Sequence, residues 1–205
     1  TEFGLGGSNG LVSDNQIDDA TVAANFSWFK SSKSTLKFGA QMKNLGFLYT
    51  NSFNDSLQFE INTKPKEYAS YVKLKYSASE RLIIEPGLRI NLYDVYSDSI
   101  FPDIRFGMKY LLNDNRYLNL SVGNYHQFIA TFQDDYNPNI LDQWIAVDKT
   151  VSPAKSSQIV LGYEEYIRNL YKFQIEGYYK DIKNHDNLHV VGNLTGKKIF
   201  LSRGQ

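Results

Sequence analysis

The stretch EYASYVKLKYSASERLIIEPGLRINLY, residues 67–93, carries the pattern that decides the fold. In its second half, apolar side chains recur at every second position: Ile84, Pro86, Leu88, Ile90 and Leu92. Because successive side chains of a strand point to opposite faces, this alternation predicts a β-strand over Leu82–Tyr93. The small and polar residues 77–80 predict a turn that joins it to a preceding strand, Glu67–Tyr76.

The same unit recurs three more times along the chain. Paired strands are predicted at Asp19–Phe29 and Thr35–Lys43, at Pro102–Tyr110 and Tyr117–Gln127, and at Gln158–Glu164 and Tyr171–Lys180. Short turns join them at 31–34, at 113–115 and near Arg168. Longer polar loops are predicted at 44–66, 128–157 and 181–200, and a short connection at 94–100. The sequence therefore predicts an all-β protein: an up-and-down antiparallel meander of about eight long strands in four hairpins.

The predicted strands have two different faces. One, the apolar face, carries residues such as Val22, Phe38, Leu88 and Phe106 and has no charged position. The other, the charged face, holds glycines such as Gly87 and, besides Glu67 and Lys180 at strand ends, 13 charged residues: Asp19, Lys37, Lys43, Lys73, Lys75, Glu85, Arg89, Asp103, Arg105, Lys109, Glu164, Lys172 and Glu176. Alternation alone does not say which face meets water.

Composition narrows the function classes. The 205 residues include 22 basic and 22 acidic side chains, so the formal charge is zero, and the pI is about 6.8. This balance argues against a nucleic-acid partner. The absence of cysteine excludes disulfides, thiolate metal sites and a cysteine nucleophile. The 15 Tyr, 13 Phe and 2 Trp favour strands.

Strand length and the placement of aromatic residues favour a membrane barrel. The predicted strands run to about 9–11 residues, the length of a tilted membrane-spanning strand, whereas soluble strands average about 5–6. Aromatic residues gather at strand ends, as in an interfacial girdle: Trp28, Tyr76, Tyr110, Tyr117 and Tyr171 beside the short turns. A soluble β-sandwich or a lipocalin-like binding module is the alternative, and a small complete or porin-like barrel is another.

Several segments resemble the barrel of TonB-dependent outer-membrane receptors. Arg81–Arg89 resembles one of their strands, and Phe101–Gly107 followed by Leu118–Gln127 is similar to one of their hairpins. Ser152–Glu164 is similar to the segment that follows their long loop, although Ala154 stands where the family usually has Glu, and Ile175–Ile182 looks like the next strand. The resemblance rests on this ordered set and covers roughly Leu82–Ile182.

This resemblance implies that residues 1–205 are part of one β-barrel domain, an incomplete barrel segment from which the plug domain and the terminal strand are absent. It implies a location in the outer membrane of a Gram-negative cell, in contact with its lipid. The expected function is uptake of a large scarce extracellular solute, such as an iron chelate, a cobalamin or an oligosaccharide. The expected partners are the plug domain of the same parent chain and, through it, an inner-membrane energy-transducing complex.

No set of residues predicts catalysis, a metal site or a cofactor, so the chain is expected not to be an enzyme. If the charged face lines a passage, its charges are expected mainly to pair with each other or with plug residues. The candidate ligand-facing residues lie on this face and in the longest loop: Arg89, Arg105, Tyr125, Gln127, Phe132, Tyr136 and Trp144. Because outer-membrane strands are joined by short periplasmic turns, the long loops are expected to be extracellular.

Overall fold

The computed structural model describes residues 2–5, 10–96, 99–133, 143–147, 149, 152–168, 170–184, 188–192 and 199–203. These described residues form fourteen strands in chain order: β1 Glu2–Leu5, β2 Leu11–Ser31, β3 Ser34–Phe53, β4 Ser56–Thr63, β5 Lys66–Ser77, β6 Leu82–Tyr93, β7 Ile100–Asn113, β8 Arg116–Gln127, β9 Ile129–Gln133, β10 Gln143–Ala146, β11 Ala154–Ile167, β12 Tyr171–Lys183, β13 Leu188–Gly192 and β14 Ile199–Arg203. A 3-10 turn, Asp94–Tyr96, follows β6.

The larger sheet is an open antiparallel meander. Its strand order is β1-β2-β3-β5-β6-β7-β8-β11-β12, and β4 pairs with β3 beside this path. All eight predicted strands belong to it, so the predicted fold class is confirmed. Among the described strands, β1 and β12 are the ends of the order and do not pair with each other, so this sheet does not close.

The prediction of a polar loop over 44–66 is wrong. β2 and β3 stay paired from Trp28–Leu36 to Leu11–Phe53, and β4 pairs back onto β3. The β3–β4 turn is Asn54-Asp55, with positive φ angles of 49° and 58°, which suits these two residue types in a tight hairpin. Apolar alternation continues here as Leu45, Phe47 and Tyr49, but on the parity of Lys37 and Lys43. Because the apolar pattern changes face after Met42, this part of the strand is not recognised from the sequence.

The predicted loops 128–157 and 181–200 also contain strands. β9 and β10 lie in the first and β13 in the second, and with β14 they form a four-stranded sheet of order β10-β9-β13-β14. In this sheet β13 pairs with β9 in parallel. These long connections are therefore partly folded.

Both prolines of the apolar face lie where a strand ladder is interrupted. The β5–β6 pairing stops at Lys73–Gly87 and resumes at Tyr76–Ile84, and Pro86 falls in the gap. The β7–β8 pairing stops at Arg105–Gly123. Beyond it, the Asn124 side chain donates to the Pro102 carbonyl at 2.8 Å and accepts from the Ile104 N–H at 2.9 Å. Because proline has no amide hydrogen, it is tolerated at such interruptions.

The buried cluster of the described residues lies at the sheet end far from the short turns. It consists of Leu45, Phe47, Tyr49, Tyr93, Phe128, Ala146 and Val147. The β3 members alternate in step with Lys37 and Lys43, so they extend the charged face. The β9–β10 hairpin packs over them: the Val147 N–H donates to the Phe128 carbonyl at 3.0 Å, and the Phe128 ring stacks on Tyr93 at 4.7 Å.

No helix among the described residues is long and apolar enough to cross a membrane.

Candidate functional site

A recess of about 650 Å³ opens on the charged face and crosses β5, β6, β7 and β8. Its lining includes Tyr71 and Lys73 from β5, Arg89 from β6, Arg105 from β7 and Tyr125 from β8. The four strands hold these side chains on one face because the register pairs Tyr71 with Arg89 and Lys73 with Gly87.

Two glycines leave the middle of the recess open. A Cβ atom at Gly87 would come no closer than 3.5 Å to any neighbour, and the same holds at Gly107. Packing within the protein therefore does not require glycine at either position. The effect of the two glycines is to keep side chains out of the recess.

The Arg89 guanidinium is held by groups from three strands. Its Nε donates to Asn91 Oδ1 at 2.7 Å and its Nη2 to Gln41 Oε1 at 3.2 Å. Glu67 Oε1 lies 3.6 Å from the same Nη2. These contacts fix Arg89, whose side chain is 22% exposed, at the edge of the recess.

Asp103 is a buried carboxylate beside the recess. Its Oδ2 accepts a hydrogen bond from Asn91 Nδ2 at 2.9 Å, and its Oδ1 lies 2.7 Å from His126 Nδ1. The side chain is 4% exposed, so it depends on these partners in place of water. His126 in turn packs on the ring of Phe101, at 5.4 Å between centroids, which connects the carboxylate to the aromatic cluster at this end of the sheet.

Arg105 and Tyr125 form a cation–π pair at the recess wall. The guanidinium carbon lies 4.5 Å from the ring centroid. Gln158 donates to the Tyr125 hydroxyl at 3.3 Å, which ties the ring to β11. A Cβ at Gly123 would lie 3.1 Å from that hydroxyl, so glycine makes room for the ring.

The other ion pairs lie toward the short turns. Lys73 pairs with Glu85, while Lys109 and Lys172 share Glu164, each at 3.5 Å. The expected pairing of charged-face residues with each other is therefore observed for Lys73, Lys109 and Lys172. Lys109 also lies 4.1 Å above the Tyr117 ring.

Cations nevertheless exceed carboxylates around the recess. Among the described residues its lining holds five basic side chains and one acidic one, Glu85; the basic ones are Lys73, Lys75, Arg89, Arg105 and Lys109. Lys37 lies directly opposite Lys73 on the neighbouring strand β3. Lys75 has no ion-pair partner among the described residues. Because carboxylates lie within 3.8 Å of Arg89, Arg105 and Lys109, the excess positive charge of the recess comes mainly from Lys75 and from Lys37 beside it.

The structure brings together three of the seven candidate ligand-facing residues, Arg89, Arg105 and Tyr125. Gln127 lies apart from them, because its side chain donates to the Ile129 carbonyl at 2.9 Å. Trp144 is on β10 and 42% exposed. The backbone of Phe132 is on β9, paired with Gln143, while its side chain and all of Tyr136 lie outside the described residues.

Sequence reasoning did not single out four further lining residues: Tyr71, Lys73, Lys75 and Lys109. Alternation places them on the charged face. Which residues of that face are neighbours depends on the register between strands, and the sequence alone does not indicate that register. The described residues contain no group of three His, Cys, Asp or Glu side chains that could hold a metal ion.

Neither a protein-family model nor a curated protein sequence matches this chain. Solved structures do match. The siderophore receptor PirA from Acinetobacter baumannii aligns with a TM-score of 0.59 at 12% identity over 94% of this chain. The copper transporter OprC aligns at 0.60, with 17% identity over 88%, and the RagAB peptide transporter at 0.56, with 10% identity over 94%. The chain has the fold of a segment of a TonB-dependent receptor barrel.

The likeness covers part of each structure. The chain spans 32% of that PirA chain, 31% of OprC and 26% of the RagAB chain. These shares agree with the open sheet, since a segment of a larger barrel has two free edges. At these identities the likeness concerns the fold alone.

Proposed function

We propose that this chain is a segment of the barrel wall of a TonB-dependent outer-membrane receptor, and that the whole protein takes up a large scarce solute. The observation that carries the proposal is the sidedness of the open sheet. One face has exposed apolar side chains and no charge over the predicted strands, and the other has charged residues and the recess.

The apolar face needs a nonpolar surrounding. Ile104, Leu161 and Ile175 are each at least 60% exposed, and many other large apolar residues of this face are above 36%. Soluble monomers rarely leave a continuous apolar surface of this extent in water. A lipid bilayer supplies the missing contact, as it does for the outward face of membrane barrels.

The two alternative folds have less support. A β-sandwich would cover the apolar face with a second sheet. The β9–β10 hairpin instead packs over Leu45 and Phe47, which extend the charged face. A small complete barrel would pair its first and last strands, and the described part of the sheet ends at β1 and β12.

In this proposal the charged face lines the passage and meets the plug domain of the parent chain. The plug would receive energy from an inner-membrane complex. The solute would be an iron chelate, a cobalamin or an oligosaccharide, bound without any catalytic step or cofactor. The structural neighbours are a siderophore receptor and transporters of copper and peptide, which supports a receptor or transporter in preference to an enzyme.

Thiol labelling of neighbouring positions on β8 tests the sidedness. This chain has no cysteine, and Ser121 lines the recess while Val122, the next residue, lies on the apolar face. In outer membranes carrying the full-length protein, Val122→Cys should react with a lipid-phase maleimide and resist a charged one. If Val122→Cys reacts with the charged reagent as fast as an exposed turn position such as Ser32→Cys, the membrane assignment is wrong.

A further inference from the structure

Building on the proposed function, we propose that the recess binds an anionic group of the transported solute, a carboxylate or a phosphate. The recess would therefore select among solutes by charge. Three observations on the described residues carry this inference: unbalanced lysines, an arginine with free donors, and space for a ligand.

The lysines are arranged in a way that favours an anion between them. Lys37 and Lys73 are directly opposite each other on paired strands, a placement that is destabilising for like charges. Glu85 pairs with Lys73. Lys75, one step further along β5 on the same face, has no ion-pair partner among the described residues. A bound anion would offset this repulsion.

Arg105 has donors available for a ligand. The carboxylate nearest to it is Asp103, at 3.8 Å, beyond hydrogen-bonding distance. Both oxygens of Asp103 already have closer partners, Asn91 and His126. The Tyr125 ring holds the guanidinium in place, and the side chain is 46% exposed. A planar guanidinium fixed in this way can bind a carboxylate or a phosphate through two parallel hydrogen bonds.

The recess also has the size of a ligand site. Its volume of about 650 Å³ falls within the range of roughly 300–1,000 Å³ that is usual for small-molecule pockets. Gly87 and Gly107 keep it open although a Cβ would fit at either position. Tyr71 supplies a second aromatic wall, fixed by the hydrogen bond from its hydroxyl to Asn25 Oδ1 at 2.9 Å.

Anion titration of the full-length receptor tests the inference. An environment-sensitive dye is attached to Ser121→Cys in the purified receptor, and citrate and pyrophosphate are added separately at constant ionic strength. We expect a saturable change in dye emission with at least one of the two, and the more effective probe tells carboxylate from phosphate. The double variant Lys75→Gln/Arg105→Gln should bind at least about tenfold more weakly. The matched control is Lys180→Gln, an exposed charged-face lysine outside the recess, which should leave binding unchanged.

Two results would overturn the inference. One is an emission change that is absent, or equal in the double variant and the control. The other is a Ser121→Cys that stays closed to aqueous thiol reagents, because the recess is then covered by the parent chain's own plug. Neither result touches the proposed function, which the lipid-phase labelling of Val122→Cys tests separately.

Discussion

Trp28 and Tyr179 lie on the same rung of the sheet, which is the line of residues that face one another across paired strands. Trp28 is the apolar-face residue of β2 nearest to a short turn, whereas Tyr179 is at the end of the apolar face of β12 that is far from the short turns. The rung passes from Trp28 through Leu36 to Leu74 and crosses the gap in the β5–β6 ladder to Pro86. From Pro86 it continues through Phe106, Val122 and Ile159 to Tyr179. Trp28 is the last apolar-face residue of β2 before the turn at positions 32–33. Tyr179 is at the far end of the run that starts at Phe173. The apolar band therefore crosses the rungs obliquely, as it does when strands tilt in a membrane.

This oblique band predicts that residues of the same rung lie at different depths in the bilayer. Trp28 and a Tyr179→Trp variant should sit near opposite interfaces, while Val122→Trp, on the same rung, should sit near the midplane. Quenching of tryptophan fluorescence by lipids brominated at different acyl positions measures these depths. In each variant, the tryptophan residues that are not being measured, Trp28 or Trp144, are replaced by Phe. Equal depths for all three positions would mean that the strands are not tilted.

Arginine should be costly on the apolar face and tolerated on the other. Phe106→Arg should lower the free energy of unfolding by about 2–4 kcal/mol, since it places a charge near the bilayer midplane. Ser121→Arg, which points into the recess, is the matched control and should cost less. Urea unfolding of the full-length protein in lipid vesicles measures both. A larger loss for Ser121→Arg would invert the assignment of the faces.

Removal of the buried carboxylate should destabilise the wall. Asp103→Ala leaves Asn91 and His126 without their shared acceptor, which should cost about 1–3 kcal/mol in the same unfolding assay. Asp103→Asn keeps one acceptor oxygen and should cost less. Glu176→Ala, an exposed charged-face position, is expected to stay within about 0.5 kcal/mol of wild type. If Asp103→Ala is as stable as that control, the Asp103 network does not stabilise the wall.

The long β3–β4 hairpin should extend outside the cell. An epitope tag at Asp55, in the hairpin turn, should bind antibody on intact cells, whereas a tag at Ser32 should bind it only after the outer membrane is permeabilised. Asn139, in the longest predicted loop, is also expected to be accessible on intact cells, and it lies outside the described residues. Surface staining at Ser32 with none at Asp55 would reverse the topology.

Much of the fold could be predicted from the sequence because strands with one apolar face follow a strict period of two. Leu88 and Arg89 are assigned to opposite faces by alternation alone. The prediction fails where the apolar pattern changes face. Leu45, Phe47 and Tyr49 continue the alternation of β3 on the charged face, and the strands that flank the Asn54-Asp55 turn are therefore predicted to be a loop. The prediction also fails for the recess, because the presence of Lys75 and Arg105 in one lining depends on the register of three strands.

The measurement that tests the central claim most directly is an experimental structure of the full-length protein in a lipid nanodisc by cryo-electron microscopy. We predict a closed barrel in which a further strand pairs with β12, lipid density lies against Leu161 and Ile175, and the recess faces the lumen. A structure in which a protein layer covers Leu161 and Ile175, with the recess facing bulk solvent on the outside, would contradict the account.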